Sequence, residues 1–553
     1  MAPIHQIGVR MEAGGEPLAR RVFAILKDRV EHRTAGRVVE GATAPAIALA
    51  VERGVGAEAF RIEEAPGGGV RVVGGDVRGL LYGVGKLLRT SQYDSDIGNS
   101  GFQTSAWRGR SAPHCTLRGM YFACHFHNWY HVAPAEELRR YIEDLALWGV
   151  NTIGTIFPFV NLSGWDDPQT AGSLAQTRAI LQAAKGLGLS PCLLACPNNL
   201  FRDAPDQFRA APLPDPLRKH GNLGANLCPS IPAAREYILD TYRELFSRLA
   251  DIGLDALCLW PYDEGGCACQ RCRPWGAGGF LRISRDVADL ARRVFPAAKV
   301  ILSTWTFDTP PEGEWEGLAK SLAAAGGGWV DYIMADAHED FPRWPLERGV
   351  PGGVPMVNFP EISMWGNSPW GGYGAHVLPR RFQRLWDQVG RALDGGLPYS
   401  EGIYEDMNKA IVSQFYWDRG RPALDTLREY IAYEFSPAPA VLDDCLRIID
   451  CLETSATSQY LKQAVDPAPA LAACELAGRV ESRLPDWARK GWRWEILRLR
   501  TTLDRERFAG AGLETPVAAK ALRRLIEIYH AQVEMTDPLH RPVRPPLKAG
   551  GTV

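Results

Sequence analysis

At 553 residues the chain is too long for one ordinary hydrophobic core, so we expect two to four domains. Hydrophobic residues make up 46% of it, which suffices for globular cores, and the formal charge of −2 provides no overall field for nucleic acid or an anionic membrane. The chain opens without a secretion signal, and no stretch approaches the roughly 18 uninterrupted apolar residues of a membrane span. We therefore expect a cytoplasmic protein with neither nucleic acid nor membrane as a partner.

Residues 1–112 have the pattern of a small α/β domain. Helical periodicity runs through residues 17–31 and 76–89, and a strand is predicted at 46–51. Residues 60–64 and 70–73 alternate as strands around a Pro-Gly-Gly-Gly turn, which predicts a hairpin. Residues 91–111 are rich in Ser, Gly and Asp and have no clear period, so the first domain boundary is predicted at residue 112.

Residues 113–420 alternate short apolar strands with amphipathic helices, which is the pattern of βα units in a parallel sheet. Eight strands are predicted, at 118–126, 152–157, 190–195, 256–260, 300–304, 332–335, 354–359 and 398–404. Helices between them are predicted at 133–148, 170–187, 231–252, 280–295, 313–325 and 380–393. Eight such units favour a (β/α)8 TIM barrel. No Gly-x-Gly-x-x-Gly or Walker sequence opens any of these helices, which argues against nucleotide binding.

In a (β/α)8 barrel the active site lies at the C-terminal ends of the strands. Carboxylates follow the predicted fourth, sixth and seventh strands: Asp263 and Glu264, Asp336, and Glu361. Glycoside hydrolysis needs one carboxylic acid to protonate the leaving oxygen and a second carboxylate to activate water, attack the sugar or stabilise charge. The other polar and aromatic residues at strand ends are candidates for binding sugar: His125, His127, Asn128, Trp129, Trp305, His338, Trp365, Tyr404 and Glu405.

Two segments resemble known glycoside hydrolases. Residues 75–89 are similar to the N-terminal domain that precedes the barrel in hexosaminidase-type (family 20) and α-glucuronidase-type (family 67) enzymes. The sequence Tyr262-Asp263-Glu264-Gly265 resembles the Asp-Glu pair of the hexosaminidases and the Glu-Gly of the α-glucuronidases. In both families this glutamate is the general acid, so the resemblance implies that Glu264 has this role.

The same resemblance leaves the second catalytic residue open. In hexosaminidases the aspartate orients the acetamido group of the substrate, which acts as the nucleophile, and this would be the role of Asp263. In α-glucuronidases two carboxylates on the sixth and seventh strands activate water with inversion, and here they would be Asp336 and Glu361. The chain has Leu259-Trp-Pro-Tyr262 where hexosaminidases have His-x-Gly-Gly before the pair, which departs from the acetamido-specific pattern.

Three cysteines directly after the acidic pair, Cys267, Cys269 and Cys272, have CxCxxC spacing, and Cys228 starts the preceding barrel helix. Four thiolates on neighbouring loops can hold a structural zinc ion, which would fix the loop behind Glu264. Free thiols packed at the barrel rim are the alternative. The sequence gives no sign of an organic cofactor or of a disulfide framework.

Residues 421–553 are predicted to form a helical C-terminal domain, with helices at 422–435, 440–455, 469–484, 487–508 and 516–534. Long amphipathic helices outside a barrel also suit a homodimer interface. The sequence thus predicts an exo-acting glycoside hydrolase on a terminal sugar or small glycoside. A metal-dependent hydrolase or lyase acting on carbohydrate and a non-catalytic carbohydrate-binding barrel remain the alternatives.

Overall fold

The computed structural model describes residues 6–41, 46–65, 68–93, 100–124, 128–212, 225–262, 265–309, 312–324, 328–338, 340–362 and 377–528. No helix within these ranges is both long enough and apolar enough to cross a membrane. The fold has an N-terminal α/β region, a closed parallel barrel and a C-terminal group of helices, as the sequence predicts.

The N-terminal region is a mixed sheet with two helices against it. Its elements in chain order are β1 (Gln6–Met11), α1 (Pro17–Arg33), β2 (Arg37–Glu40), β3 (Ile47–Val51), β4 (Phe60–Glu64), β5 (Val70–Gly74) and α2 (Val77–Thr90), then the short pair β6 (Gln92–Tyr93) and β7 (Phe102–Gln103), and β8 (Gly109–Ser111). The sheet order is β2-β1-β3-β5-β4-β8, and the predicted hairpin of β4 and β5 is confirmed as an antiparallel pair. Strands β1, β2 and β8 were not predicted, because they are short edge or near-edge strands with little alternation.

Helix α2 joins this region to the barrel and is buried along most of its length. The side chain of Asp76 accepts a hydrogen bond of 2.7 Å from the Gly79 N–H and so caps the start of the helix. A β-carbon at Gly85 would lie 2.3 Å from the Leu147 carbonyl oxygen, so only glycine allows the helix to approach this closely. The glycines of α2 are therefore required by close packing.

The barrel has eight parallel strand positions, and the eighth consists of two short segments. The strands are β9 (Leu117–Phe122), β10 (Thr152–Ile156), β11 (Ser190–Ala195), β12 (Ala256–Leu259), β13 (Lys299–Ser303), β14 (Tyr332–Asp336), β15 (Met356–Phe359), β16 (Gly395–Gly396) and β17 (Tyr399–Ser400). Strand β9 pairs with β10 on one side and with β16 and β17 on the other, which closes the barrel. The predicted eighth strand, 398–404, differs from the structure because Pro398 has no N–H to continue the ladder and separates β16 from β17.

Helices follow the strands around the outside of the barrel, which confirms the βα alternation read from the sequence. They are α3 (Trp129–Val132), α4 (Ala135–Leu147), α5 (Thr170–Gly186), α6 (Pro232–Leu249), α7 (Leu281–Val294), α8 (Glu314–Ala324), α9 (Arg343–Arg348), α10 (Pro379–Val389) and α11 (Asp406–Trp417). Strands β9 and β12 are buried at every residue, as expected when a parallel barrel is covered by helices.

The C-terminal region is helical, as predicted. Its helices are α12 (Ala423–Glu434), α13 (Pro439–Tyr460), α14 (Pro467–Glu481), α15 (Asp486–Arg489), α16 (Trp492–Ala509) and α17 (Pro516–Ile528). The predicted boundaries after residues 112 and 420 and the predicted homodimer remain predictions.

A buried ionic network joins the three regions. Arg493 of α16 contacts Asp144 of α4 at 2.9 Å and Asp406 of α11 at 2.7 Å, and Arg29 of α1 contacts the same Asp144 at 2.7 Å. Burial opposes ionisation of Asp144, but the charges of Arg29 and Arg493 outweigh it and hold the pKa of this carboxyl well below its usual range. Each charge has a partner of opposite sign, so removing one of them would leave a buried charge uncompensated.

Candidate active site

Five aromatic side chains meet at the C-terminal end of the barrel: Tyr121, Trp260, Trp305, Phe359 and Tyr399. Trp260 and Trp305 stack with ring centroids 5.4 Å apart, and Phe359 lies 4.5 Å from Trp260 and 5.7 Å from both Trp305 and Tyr399. The indole N–H of Trp305 has no hydrogen-bond partner within the described ranges. This aromatic cluster joins the ends of strands that are distant in sequence, and it provides an apolar floor.

Asp336 and Glu361 lie beside this cluster, at the ends of neighbouring strands, and His338 links them. Asp336 is the last residue of β14, and its Oδ1 accepts a hydrogen bond of 2.8 Å from the His338 backbone N–H. The ring Nδ1 of His338 contacts Oε2 of Glu361. The structure therefore brings the two predicted carboxylates into contact with His338, and the roles predicted for the three residues remain predictions.

The environment of Asp336 favours its protonated form. Burial raises the pKa of this carboxyl from 3.8 to about 7, and the negative charges of Glu361 and Asp308 act in the same direction. The hydrogen bond from the His338 N–H opposes the rise. A carboxyl group that titrates near neutral pH can both accept and donate a proton under physiological conditions, which suits a general base or acid.

Arg381, at the start of α10, holds the two loops that carry this group. Its guanidinium donates a hydrogen bond of 3.3 Å to the Glu361 carbonyl oxygen and another to the His338 carbonyl oxygen. The Arg381 backbone N–H donates in turn to Glu453 of α13 at 2.9 Å. Arg381 was not predicted as a site residue, because a buried arginine on an amphipathic helix has no local signal in the sequence.

A further carboxylate, Glu401, follows the eighth strand position. The hydroxyl of Tyr399 donates a hydrogen bond to Oε1 of Glu401. Burial and the neighbouring Glu401 raise the pKa of Tyr399 well above its usual value, so this hydroxyl stays protonated and remains a donor. Glu401 is only 5% exposed. The pair fixes the wall of the site next to Glu361, whose backbone bridges to Tyr399.

Five predicted site residues lie outside the described residues: Asp263, Glu264, His125, His127 and Trp365. The residues on either side of the acidic pair are described and tightly held. The hydroxyl of Tyr262 donates to Glu314 of α8, and the Pro261 carbonyl accepts a hydrogen bond of 2.5 Å from the Trp275 indole N–H. After the pair, the Gly266 N–H donates to Oδ1 of Asn198 at 3.2 Å.

Four other predicted residues are described, and all four are buried. The Asn128 amide donates to the Ala123 carbonyl oxygen at 2.6 Å and accepts from the Tyr130 N–H, which caps α3. Trp129 is buried, and its ring meets Tyr141 edge-on. The Tyr404 hydroxyl donates to the Leu525 carbonyl oxygen of α17 at 3.1 Å.

Glu405 is the fourth of these residues, and it is 2% exposed at the start of α11. Lys409, one turn further along α11, is completely buried. Burial lowers the pKa of Lys409 to about 8, and the charges of Glu405 and Asp406 oppose this change. Glu405, Asp406 and Lys409 are thus three buried charged side chains at the start of α11, just after the eighth strand position.

The four predicted metal ligands come together. The sulfur atoms of Cys228, Cys267, Cys269 and Cys272 all lie within 4.8 Å of one another, and those of Cys228 and Cys269 are 3.6 Å apart. Four sulfurs arranged tetrahedrally around zinc at about 2.3 Å would be separated by about 3.8 Å, so the group can hold a metal ion. Hydrogen bonds from Cys267 and Cys272 lower the pKa of Cys228, and the same contacts with Cys228 raise the pKa of both donors. A cation would allow all four thiols to ionise together.

No protein-family model matches the sequence. No curated protein matches it either. Solved structures do share its fold. A family GH115 4-O-methyl-α-glucuronidase with specificity for decorated arabinogalactans superposes with a TM-score of 0.63 at 12% identity, covering 95% of this chain and 76% of that one.

Two other solved structures have the same architecture. A GH89 enzyme from Clostridium perfringens, solved with its substrate GlcNAc-α-1,4-galactose, has a TM-score of 0.60 at 11% identity, covering 88% of this chain and 61% of that one. The GH20 β-N-acetylhexosaminidase from Streptomyces coelicolor A3(2) has a TM-score of 0.53 at 15% identity, covering 76% and 90%. The fold of this chain is thus one that it shares with several families of glycoside hydrolases.

Proposed function

We propose that the protein is an exo-acting glycoside hydrolase in which Glu264 is the general acid. The observation that carries the proposal is the grouping of Asp336, His338 and Glu361 beside an aromatic cluster at the C-terminal end of the barrel. Glu264 follows β12, whose neighbour β13 leads to Trp305 of that cluster. In such a site Glu264 protonates the glycosidic oxygen while a carboxylate assists on the other side of the sugar.

Asp336 is the second catalytic residue that the contacts favour, with Glu361 as its partner. A general base works best when its pKa lies near the operating pH, and burial raises the pKa of Asp336 to about 7. Glu361 contributes negative charge that strengthens Asp336 as a base, and it contacts His338. Water activation by this pair would give inversion of the anomeric carbon. The alternative is that Asp263 orients an acetamido group of the substrate, which would give retention.

The substrate class follows from the surfaces around these carboxylates. Aromatic rings stack on the apolar faces of sugars, and Trp260, Trp305 and Phe359 supply such rings next to the carboxylates. His125, His127, Trp365 and His338 are proposed to bind hydroxyl groups of the terminal sugar. The similar structures include an α-glucuronidase and a β-N-acetylhexosaminidase, so uronic acid and N-acetylhexosamine glycosides are the first substrates to examine.

We further propose that the four cysteines hold a structural zinc ion. A site with four protein sulfurs leaves no open position for water, so the ion does not enter the hydrolytic reaction. This distinguishes the proposal from a metal-dependent hydrolase, in which the metal needs a free coordination position.

A panel of nitrophenyl glycosides and short oligosaccharides tests the proposal, with products followed by NMR to identify the released sugar and its anomeric form. We expect release of a single terminal sugar, and we expect the Asp336→Asn variant to lose turnover while still binding substrate. Binding of oligosaccharide without turnover of any member of the panel would instead indicate a non-catalytic carbohydrate-binding barrel. A retained anomeric configuration would transfer the second role to Asp263.

A further inference from the structure

Asn198, in the loop after the third barrel strand, connects the two loops that carry the cysteines. Its amide nitrogen donates to the Leu227 carbonyl oxygen at 2.9 Å and to the Gly266 carbonyl oxygen at 2.8 Å. Its Oδ1 accepts from the Gly266 N–H at 3.2 Å. Leu227 directly precedes Cys228, and Gly266 directly precedes Cys267. The Asn198 side chain thus holds the backbone next to one proposed metal-binding cysteine on each loop.

The position of Asn198 makes it a rigid support. Asn198 is completely buried, and it comes three residues after the end of β11, which pairs with β12 along its length. Gly265 packs so closely that a β-carbon there would lie 2.6 Å from the Pro261 carbonyl oxygen and 3.1 Å from Oδ1 of Asn198. Gly266 has a φ of 147°, which favours glycine. The backbone immediately after Glu264 is therefore held in one shape by Asn198.

The cysteine group fixes the same segment from its other end. Cys267 follows Gly266, and the Ala268 N–H donates to the Ala211 carbonyl oxygen at 2.8 Å. The sulfur of Cys267 lies within 4.8 Å of that of Cys228, whose own N–H donates to the Phe208 carbonyl oxygen at 2.8 Å. Asn198 therefore holds Gly266, and the cysteine group holds Cys267 directly after it. The segment that follows the proposed general acid is thus fixed at two consecutive residues.

We propose that Asn198 is a positioning residue that, together with a metal ion bound by Cys228, Cys267, Cys269 and Cys272, sets the orientation of Glu264. This inference rests on the proposed function and adds the way in which the acid is held. Residues that orient a reactive or metal-bound group typically contribute about 10–100-fold to activity. A misplacement of about 1 Å can cost about 100-fold.

The readout is the dependence of the rate on the leaving group. A general acid matters for a poor leaving group, which must be protonated as it departs, and matters little for an activated one such as dinitrophenolate. The probes are the phenyl and dinitrophenyl glycosides of the sugar that the enzyme cleaves fastest. Glu264→Gln sets the reference, with an expected loss of about 10²–10⁴-fold on the phenyl glycoside and little loss on the dinitrophenyl glycoside.

The variants Asn198→Ala and Asn198→Asp should show the same selective pattern at smaller amplitude, about 10–100-fold on the phenyl glycoside alone. Asp keeps the acceptor and loses both donors, so it tests the bonds to the Leu227 and Gly266 carbonyls. The matched control is Asn151→Ala. Asn151 is also buried, accepts from the Arg118 N–H and donates to the Thr116 carbonyl oxygen, but it lies at the opposite end of the barrel. This control can lose stability but should keep the wild-type ratio of the two rates.

Removal of the metal is the second arm. The purified protein should contain about one metal ion per chain by mass spectrometry. Chelation should lower the rate on the phenyl glycoside far more than on the dinitrophenyl glycoside, and added zinc should restore it. Full activity in a protein without metal, or an equal loss on both glycosides, would overturn the inference. If Glu264→Gln itself shows no dependence on the leaving group, the proposed function fails. If Glu264→Gln shows this dependence on the leaving group but the Asn198 variants and the metal-free protein do not, the inference about Asn198 and the metal fails and the proposed function stands.

Discussion

Replacement of Asp336 by asparagine should make the protein more stable at alkaline pH. Burial and the charge of Glu361 raise the pKa of Asp336 from 3.8 to about 7, so the folded protein resists loss of this proton. A group with a raised pKa contributes stability at low pH and loses that contribution as the pH rises through the folded-state value. Above about pH 7 the wild-type protein therefore carries a destabilising charge at Asp336. Each unit by which folding raises the pKa of this carboxyl corresponds to about 1.4 kcal/mol. Asparagine carries no such charge, and its side-chain oxygen can still accept from the His338 N–H.

The size of the effect follows from the two pKa values. The rise from 3.8 to about 7 makes ionisation of Asp336 at most about 4 kcal/mol less favourable in the folded protein than in the unfolded chain. The advantage of Asp336→Asn in free energy of unfolding should grow by about 2.5 kcal/mol between pH 5 and pH 8. Denaturant unfolding across this pH range measures it, with Asp340→Asn, an exposed carboxylate on the same loop, as the control. An advantage that does not change with pH would refute the raised pKa assigned to the partly buried Asp336.

Three further predictions concern the carboxylate pair, the packing of α2 and the cysteine group. Glu361→Gln removes a charge that raises the pKa of Asp336, so the acidic limb of the pH–activity profile should move to lower pH. Gly85→Ala should destabilise the protein by about 1–3 kcal/mol in denaturant unfolding, because the new methyl group meets the Leu147 carbonyl oxygen. The control Gly478→Ala lies in an exposed stretch of α14 with no atom nearby and should stabilise by up to about 1 kcal/mol; equal effects of the two would contradict the packing argument. Cys228→Ser should reduce bound metal measured by mass spectrometry, whereas Cys445→Ser, a buried cysteine outside the cluster, should leave it unchanged.

The barrel could be predicted because its signal is local. Short apolar strands followed by amphipathic helices recur through the middle of the chain, and strand ends in such a pattern define one face. This was enough to expect Asp336 and Glu361 on that face. The CxCxxC spacing similarly limits where three of the four sulfurs can lie, and Cys228 was found because the preceding loop ends on the same face.

The parts that the sequence did not predict depend on contacts between distant segments. Nothing near Arg381 indicates that its guanidinium reaches the carbonyls of His338 and Glu361. The hydrogen bonds of Asn128 to Ala123 and Tyr130 likewise could not be predicted from its place at a strand end, and its role in binding sugar remains a prediction. Pro398 divides the eighth strand position because it has no backbone N–H to donate to the ladder. The alternation of apolar and polar residues does not reveal this break.

The role of Glu264 is tested most directly by the rate of Glu264→Gln on a glycoside with a poor leaving group. The substitution preserves shape and removes the proton that the leaving oxygen needs. We predict that kcat/KM on the phenyl glycoside falls by about 10²–10⁴-fold while the fold, followed by circular dichroism, is unchanged. Wild-type kcat/KM in this variant would contradict the assignment of Glu264 as the general acid and, with it, the proposed mechanism.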